Sequence, residues 1–158
     1  MTSRNYVRKF ASKQIRLPSG AVIVFASLAL YGATCMHTQH FEITEVHGVT
    51  ATRFLLPPDW TVFRAAAAEI RAHFSSAIKL WDCSCGLALS AEELRAMADK
   101  AKRLDAETLK LAIVAPEDEV YGLARLFSVH RAQEHLQLQV FRDRDAAFQW
   151  LDSIAGSA

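Results

Sequence analysis

The sequence predicts an α/β domain: a mixed sheet of about five strands, opened by a β-hairpin, with about four helices alternating with the later strands. Three observations carry this. From Phe41 onward, stretches of alternating and of helically spaced apolar residues follow one another. Leu109 to Ala115 is a near-continuous apolar run, the mark of a strand covered on both faces. Helix-start signals at Asp59, Ser90, Pro116 and Asp143 separate the strand candidates.

The elements follow in order. Phe41, Ile43 and Val46 alternate with Glu42, Thr44 and Glu45, His47-Gly48 is a turn signal, and Val49 to Leu55 is β-branched and aromatic, so the pair reads as a hairpin. Pro57-Pro58 ends it. Asp59 is placed to cap a helix to about Ser75, whose apolar face is Phe63, Ala66, Ala67, Ile70 and Phe74. Ile78 to Trp81 is a short buried strand ending at Asp82. Ser90 and Glu93 have capping-box spacing, and Leu94, Met97, Ala98, Ala101 and Leu104 form the inner stripe of the helix they open. After the strand at Leu109 to Ala115, Pro116 and the acids Glu117, Asp118 and Glu119 suit the positive end of a third helix, with Val120, Leu123, Ala124 and Phe127 inward. Leu138 to Phe141 is the last strand, and Asp143 caps a helix carrying Ala147, Trp150, Leu151 and Ile154. Parallel strands joined by helices require crossovers, which are right-handed.

The 158 residues suit one domain that buries roughly two thirds of the surface its unfolded chain exposes. The net charge of +1 conceals an asymmetry: residues 1–36 carry five bases and no acid, and residues 37–158 carry 13 bases and 17 acids. A domain with a surplus of acids is poorly suited to phosphate backbones, and nucleic acid is set aside. Three cysteines, Cys35, Cys83 and Cys85, are too few for a disulfide scaffold.

Residues 1–36 form a separate segment, and residues 37–158 hold the domain. A basic stretch ends at Pro18 and an apolar run follows from Gly20 to Cys35. Three readings stand open: a signal peptide, a single spanning helix, for which the run is slightly short of the roughly 17 to 25 residues required, or an over-extended start with Met36 as the true first residue. The third implies a cytoplasmic protein. The others imply export or a membrane anchor through residues 1–35, and only then does a membrane become a partner.

Three stretches carry a resemblance. Leu80-Trp81-Asp82 precedes a Ser-Ala-Glu-Glu-Leu helix start at Ser90. Ala112 to Pro116 runs into Tyr121-Gly122-Leu123-Ala124-Arg125-Leu126-Phe127. Val140-Phe141-Arg142-Asp143 is followed by Ala147 and Trp150-Leu151. As an ordered set spanning about Phe41 to Ser153 they resemble the STAS/SpoIIAA-like group, within it the bacterial STAS/SEC14-domain proteins. The resemblance implies a non-enzymatic regulatory module acting through protein contacts. The family's phosphoswitch serine lies in Asp-Ser-x-Gly at a helix start. Here Asp82 is followed by Cys83-Ser84-Cys85-Gly86, and the helix opens only at Ser90.

The carboxyl ends of parallel strands, where open α/β sheets bind ligands, supply Asp82, Asp118, Arg142 and Asp143. Three aspartates suit a hard cation; the plainer reading makes Asp143 and the Glu117–Glu119 run helix caps and dipole partners. Cys83 and Cys85 have neither redox nor zinc spacing and read as ordinary thiols. His37 and His40 read as a frayed terminus, and His73 as solvated. Tyr121, Gly122 and Arg125 draw most interest. A glycine inside a helix suggests close packing, and Arg125 offers a planar fork for a carboxylate, with Asp82 the internal candidate. The sequence holds no hydrolase triad order, no glycine-rich phosphate loop and no His-Glu-x-x-His. The expectation is a domain with no enzymatic activity and no cofactor. It binds a protein partner or itself, as a homodimer, through Asp82, Asp118, Tyr121, Arg125 and Arg142. The alternative is a small-ligand or lipid-binding domain, marked by a large apolar cavity. A thiol or metal enzyme built on Asp82, Cys83 and Cys85 is the third reading.

Overall fold

The computed structural model describes residues 12–16, 22–26, 34–104 and 106–153. Two short strands, β1 (Ser12–Arg16) and β2 (Val22–Ala26), pair antiparallel as a separate ribbon. The remaining strands are β3 (Thr34–His37), β4 (Phe41–Val46), β5 (Val49–Phe54), β6 (Ile78–Asp82), β7 (Lys110–Val114) and β8 (Gln137–Phe141). They form one six-stranded mixed sheet in sequence order. The β3–β4–β5 part is antiparallel, and β5 to β8 are parallel. The helices are α1 (Trp60–His73), α2 (Ala91–Leu104), α3 (Asp118–Arg131) and α4 (Arg144–Asp152).

Each parallel strand lies beside its predecessor, and successive right-handed crossovers in one direction deliver their helices to the same face. Thus α1, α2 and α3 share one core with Phe41, Ile43, Phe54, Leu111, Ile113 and Val140. After β8 there is no further strand to reach, and α4 folds onto the opposite face, where Ala147 and Leu151 meet Val49, Ala51, Leu80, Ala112 and Val114. Strand β7 is covered from both sides and every one of its residues is buried, as its apolar run predicts.

The helix starts behave as read. Asp59 Oδ1 accepts from the Val62 N–H at 2.9 Å. The Ser90 N–H donates to Glu93 Oε2 at 2.8 Å while the Glu93 N–H donates to Ser90 Oγ at 3.2 Å, and the bonds from Ser90 hold the Glu93 carboxyl below its usual pKa. Asp143 accepts from Asp145 and Ala146. Lys110, buried on β7, donates to the Trp150 carbonyl at 2.5 Å and so closes the last turn of α4.

The N-terminal boundary differs from expectation. The division between residues 36 and 37 falls inside β3, a sixth strand that the sequence did not announce; Met36 is 3% exposed and belongs to the main core. His37 is not frayed: it lies in β3 and its Nδ1 meets Glu42 Oε1 at 2.9 Å. His40 meets Gln39 at 2.9 Å, and His73 pairs with Glu69 one turn back. The spanning-helix reading is not met where it can be followed, because Val22–Ala26 is a strand. Among the described residues no helix is long and apolar enough to cross a membrane. Ile154, expected in the last helix, lies outside the described residues.

Candidate functional site

Helix α2 packs along α3, whereas α1 and α2 make only sparse contact. The space between them is a cleft of about 450 Å³, within the range of about 300–1,000 Å³ typical of small-molecule sites. Its origin is local. The flank of α1 that faces α2 carries Ala65, Ala67 and Ala68, and α2 answers with Ala101. Four methyl groups cannot bridge two helices. Trp60 and Phe63 of α1 and Met97 and Leu104 of α2 complete the apolar walls.

The floor is the sheet. Side chains alternate across a strand, so Lys79 and Trp81 of β6 face the helices while Ile78 and Leu80 face α4. On the neighbouring strand, Thr52 and Phe54 turn the same way, with Thr52 directly opposite Trp81. Trp81 sits in a central strand yet is only half-buried, because the cleft opens onto it. It is held in a row of tilted aromatic contacts: Phe54–Phe63 at 4.6 Å, Phe63–Trp81 at 5.5 Å and Trp81–Phe127 at 5.6 Å. Lys100 reaches across the cleft to lie 5.4 Å over the Trp60 ring. Two buried hydroxyls lack a partner among the described residues, those of Thr52 and Thr108, and only Thr52 lines the cleft.

The residues singled out from the sequence lie elsewhere, in two separate sets at the carboxyl ends of the strands. In the first, Asp82 is 4% exposed and accepts from the Ser84 N–H at 3.1 Å and the Ser84 hydroxyl at 2.5 Å. Its cation is Arg144, at 3.4 Å, not Arg125. In the second, Arg142 stacks 4.3 Å over the Tyr121 ring, pairs with Asp118 at 2.7 Å and donates to the Pro116 carbonyl at 3.0 Å. Asp118 is 93% exposed, which holds that pair to about 0–1 kcal/mol. Arg125 belongs to neither set: it is exposed, and its side chain makes no hydrogen bond or ion pair among the described residues. Among the described residues nothing lies within 4 Å of where a Gly122 Cβ would stand, so the close packing expected around it is not found there. Arg125→Ala should therefore cost under about 0.5 kcal/mol. Arg144→Ala should cost about 1 kcal/mol, because it leaves the buried Asp82 without its half-exposed cation. Urea melts of the two variants order them.

Asp118 pairs with Arg142, Asp82 with Arg144, and Asp143 caps α4. Among the described residues no group of three His, Cys, Asp or Glu side chains is placed to hold a metal ion. All three cysteines are free. Cys83 is 1% exposed, and burial first, then the neighbouring Cys85 and Asp82, pushes its thiol far up from the usual value. Burial also raises Cys85. A thiol raised in this way is a poor nucleophile at neutral pH. The pair is not interchangeable. Cys83→Ser inserts a hydroxyl into the core and should cost about 1–3 kcal/mol, whereas Cys85→Ser should cost under about 0.5 kcal/mol; thermal melts of the single variants separate them.

The chain matches no family model, no curated protein and no solved structure. The arrangement of its own side chains therefore carries the functional reading. Apolar walls, a sheet floor with polar points and two tryptophans make up the candidate site. Thr52, Trp60, Lys79, Trp81 and Lys100 make up most of its character; none of them was a site candidate from the sequence, where Trp81 stood out only in the stretch Leu80-Trp81-Asp82. The run Ala65–Ala68 flanked by Arg64 and Arg71 was the available signal: four alanines on one helix cannot all face a well-filled core.

Proposed function

We propose that this domain is a binding module for a small molecule with an apolar body, taken up between α1 and α2. The observation that carries the reading is the cleft itself, apolar, of ligand size, and left open by alanines where side chains of ordinary length would have closed it. The module does no chemistry of its own in this reading; it holds or senses its ligand. Trp60 and Trp81 line the cleft and make a built-in reporter. Titration with straight-chain alcohols from hexanol to decanol should change tryptophan emission saturably. Affinity should rise about fourfold per methylene, from about 0.8 kcal/mol per buried CH₂, until the cleft is full. A linear, unsaturable response would sink the proposal.

A second reading, contact with a protein partner or a second copy, is favoured by α3. Gly122, Arg125 and Val129 lie on one face of that helix and are exposed, Val129 by 68%. Gly122→Ala fills open space and should stabilise the isolated domain by about 0.5–1 kcal/mol through helix propensity. Loss of self-association in sedimentation of the same variant would show that a neighbour packs there. Membership of the STAS/SpoIIAA-like group is part of this proposal. It is supported by the α/β element order and by the placement of the resembling stretches at the end of β6, across β7 and α3, and across β8 and α4. The three free thiols support a reducing, cytoplasmic setting.

A further inference from the structure

The sheet ends on β8. Among the described residues β8 pairs with β7 alone, whereas the strand at the other end, β3, has β2 lying against it. Edge strands are ordinarily blunted by Lys, Pro or a bulge. Gln137–Phe141 carries no charge, no proline and no glycine, and its register with β7 runs without a bulge.

The main chain shows what this edge offers. The Gln137 N–H donates to the Leu109 carbonyl at 2.9 Å, and the Phe141 carbonyl accepts from the Ala115 N–H at 2.8 Å. The N–H and C=O of one residue point to the same side of a strand, and that side alternates along it. Gln137, Gln139 and Phe141 therefore direct theirs to β7, and Leu138 and Val140 turn theirs to the open side. The side chains of Leu138 and Val140 go to the main core, while Gln137 and Gln139 are exposed on the face that carries α4.

The charges at the two ends of β8 are opposite. Glu134 precedes the strand, exposed and without an ion pair among the described residues. Arg142 and Arg144 follow it, each half-exposed in its own pair. Antiparallel pairing of two copies sets the start of one strand beside the end of the other, so each Glu134 comes to an arginine end. Parallel pairing would set like ends together.

Resting on the second reading above and giving it a surface, we propose that β8 pairs antiparallel with β8 of a second copy and joins the two six-stranded sheets edge to edge. In the register that pairs the whole strand, Leu138 faces the partner's Val140 and exchanges both N–H···O bonds with it. Gln139 faces the partner's Gln139 on the two-fold axis, in the non-hydrogen-bonded position where side chains are closest. Such an interface is isologous and closes at two copies. Strand β7 separates it from the cleft floor on β5 and β6.

The test uses the full chain. Sedimentation across micromolar concentrations should show a monomer–dimer equilibrium. Gln139→Lys sets two ammonium groups opposite one another at the axis and should raise the dimer dissociation constant about tenfold or more. Gln139→Thr, a good strand former without charge, should not. Gln139→Cys should give an intermolecular disulfide under mild oxidation, because the two new thiols meet on the axis. Gln137→Cys carries the same native thiols but faces the partner's Phe141, and should cross-link far more slowly. A chain that stays monomeric throughout overturns the inference together with self-association, and leaves the edge to a strand of another protein. A dimer that keeps its dissociation constant in Gln139→Lys, or that cross-links at position 137 as fast as at 139, overturns the inference alone and leaves the contact to the exposed face of α3.

Discussion

Phe127→Ala is expected to lower the free energy of unfolding by about 3–5 kcal/mol, the usual cost of deleting a buried phenyl ring and leaving a cavity. Phe127 is 2% exposed on the inner face of α3 and packs against Trp81 at 5.6 Å. It is the end of the aromatic row that runs from Phe54 through Phe63 and Trp81, and so it supports the cleft floor from the side away from α1. The loss should appear in urea melts as a lower midpoint with little change in slope. Phe127→Leu should recover more than half of it. Because Trp81 loses a wall, emission from the folded variant should shift to the red and the response to alcohols should weaken. A cost below about 1 kcal/mol, the range of an ordinary surface or loop position, would mean that Trp81 is held by something other than this row.

Ala101→Phe has the opposite sign for stability. Ala101 is half-buried on the flank of α2 that faces α1, and its methyl lines the cleft. A phenyl ring there occupies space that is empty and apolar. Filling such a space commonly raises stability by about 0.5–2 kcal/mol, with loss of function where the space is the site. The expected result is a raised melting midpoint together with loss of the saturable emission change, even for the best-bound alcohol. The combination separates this site from a packing defect. A destabilised variant would show that α1 and α2 close on one another, since over-filling a packed core costs about 1–3 kcal/mol. A stabilised variant that still binds would move the ligand elsewhere.

The local elements were legible because they are written in short-range terms. Asp59, Ser90 and Asp143 cap their helices through bonds spanning two or three residues, and the run around Ile113 reports a strand buried on both faces wherever that strand sits. The α/β class and the alternation of strands and helices followed from those signals. β3 did not. Its four residues Thr34–His37 bury only Met36, too little for a period to appear, and its strand character comes from hydrogen bonds to β4. The pairing of Asp82 was equally out of reach. Arg125 and Arg144 are chemically equivalent forks, and only the fold of α4 across the second face of the sheet brings Arg144 to that carboxylate.

The sequence by itself determined the order of strands and helices from β4 to α4, the capping of α1, α2 and α4, and the burial of β7, since each depends on neighbours within a few residues or on composition alone. Tertiary structure alone decided where the domain is empty. A cleft is a relation between two helices and a floor, set by how far α2 leans toward α3 and by side chains too short to follow it. Ala65, Ala67 and Ala101 read as ordinary apolar positions until α1 and α2 are set side by side, and Thr52 and Lys79 read as ordinary strand residues until their face of the sheet is known.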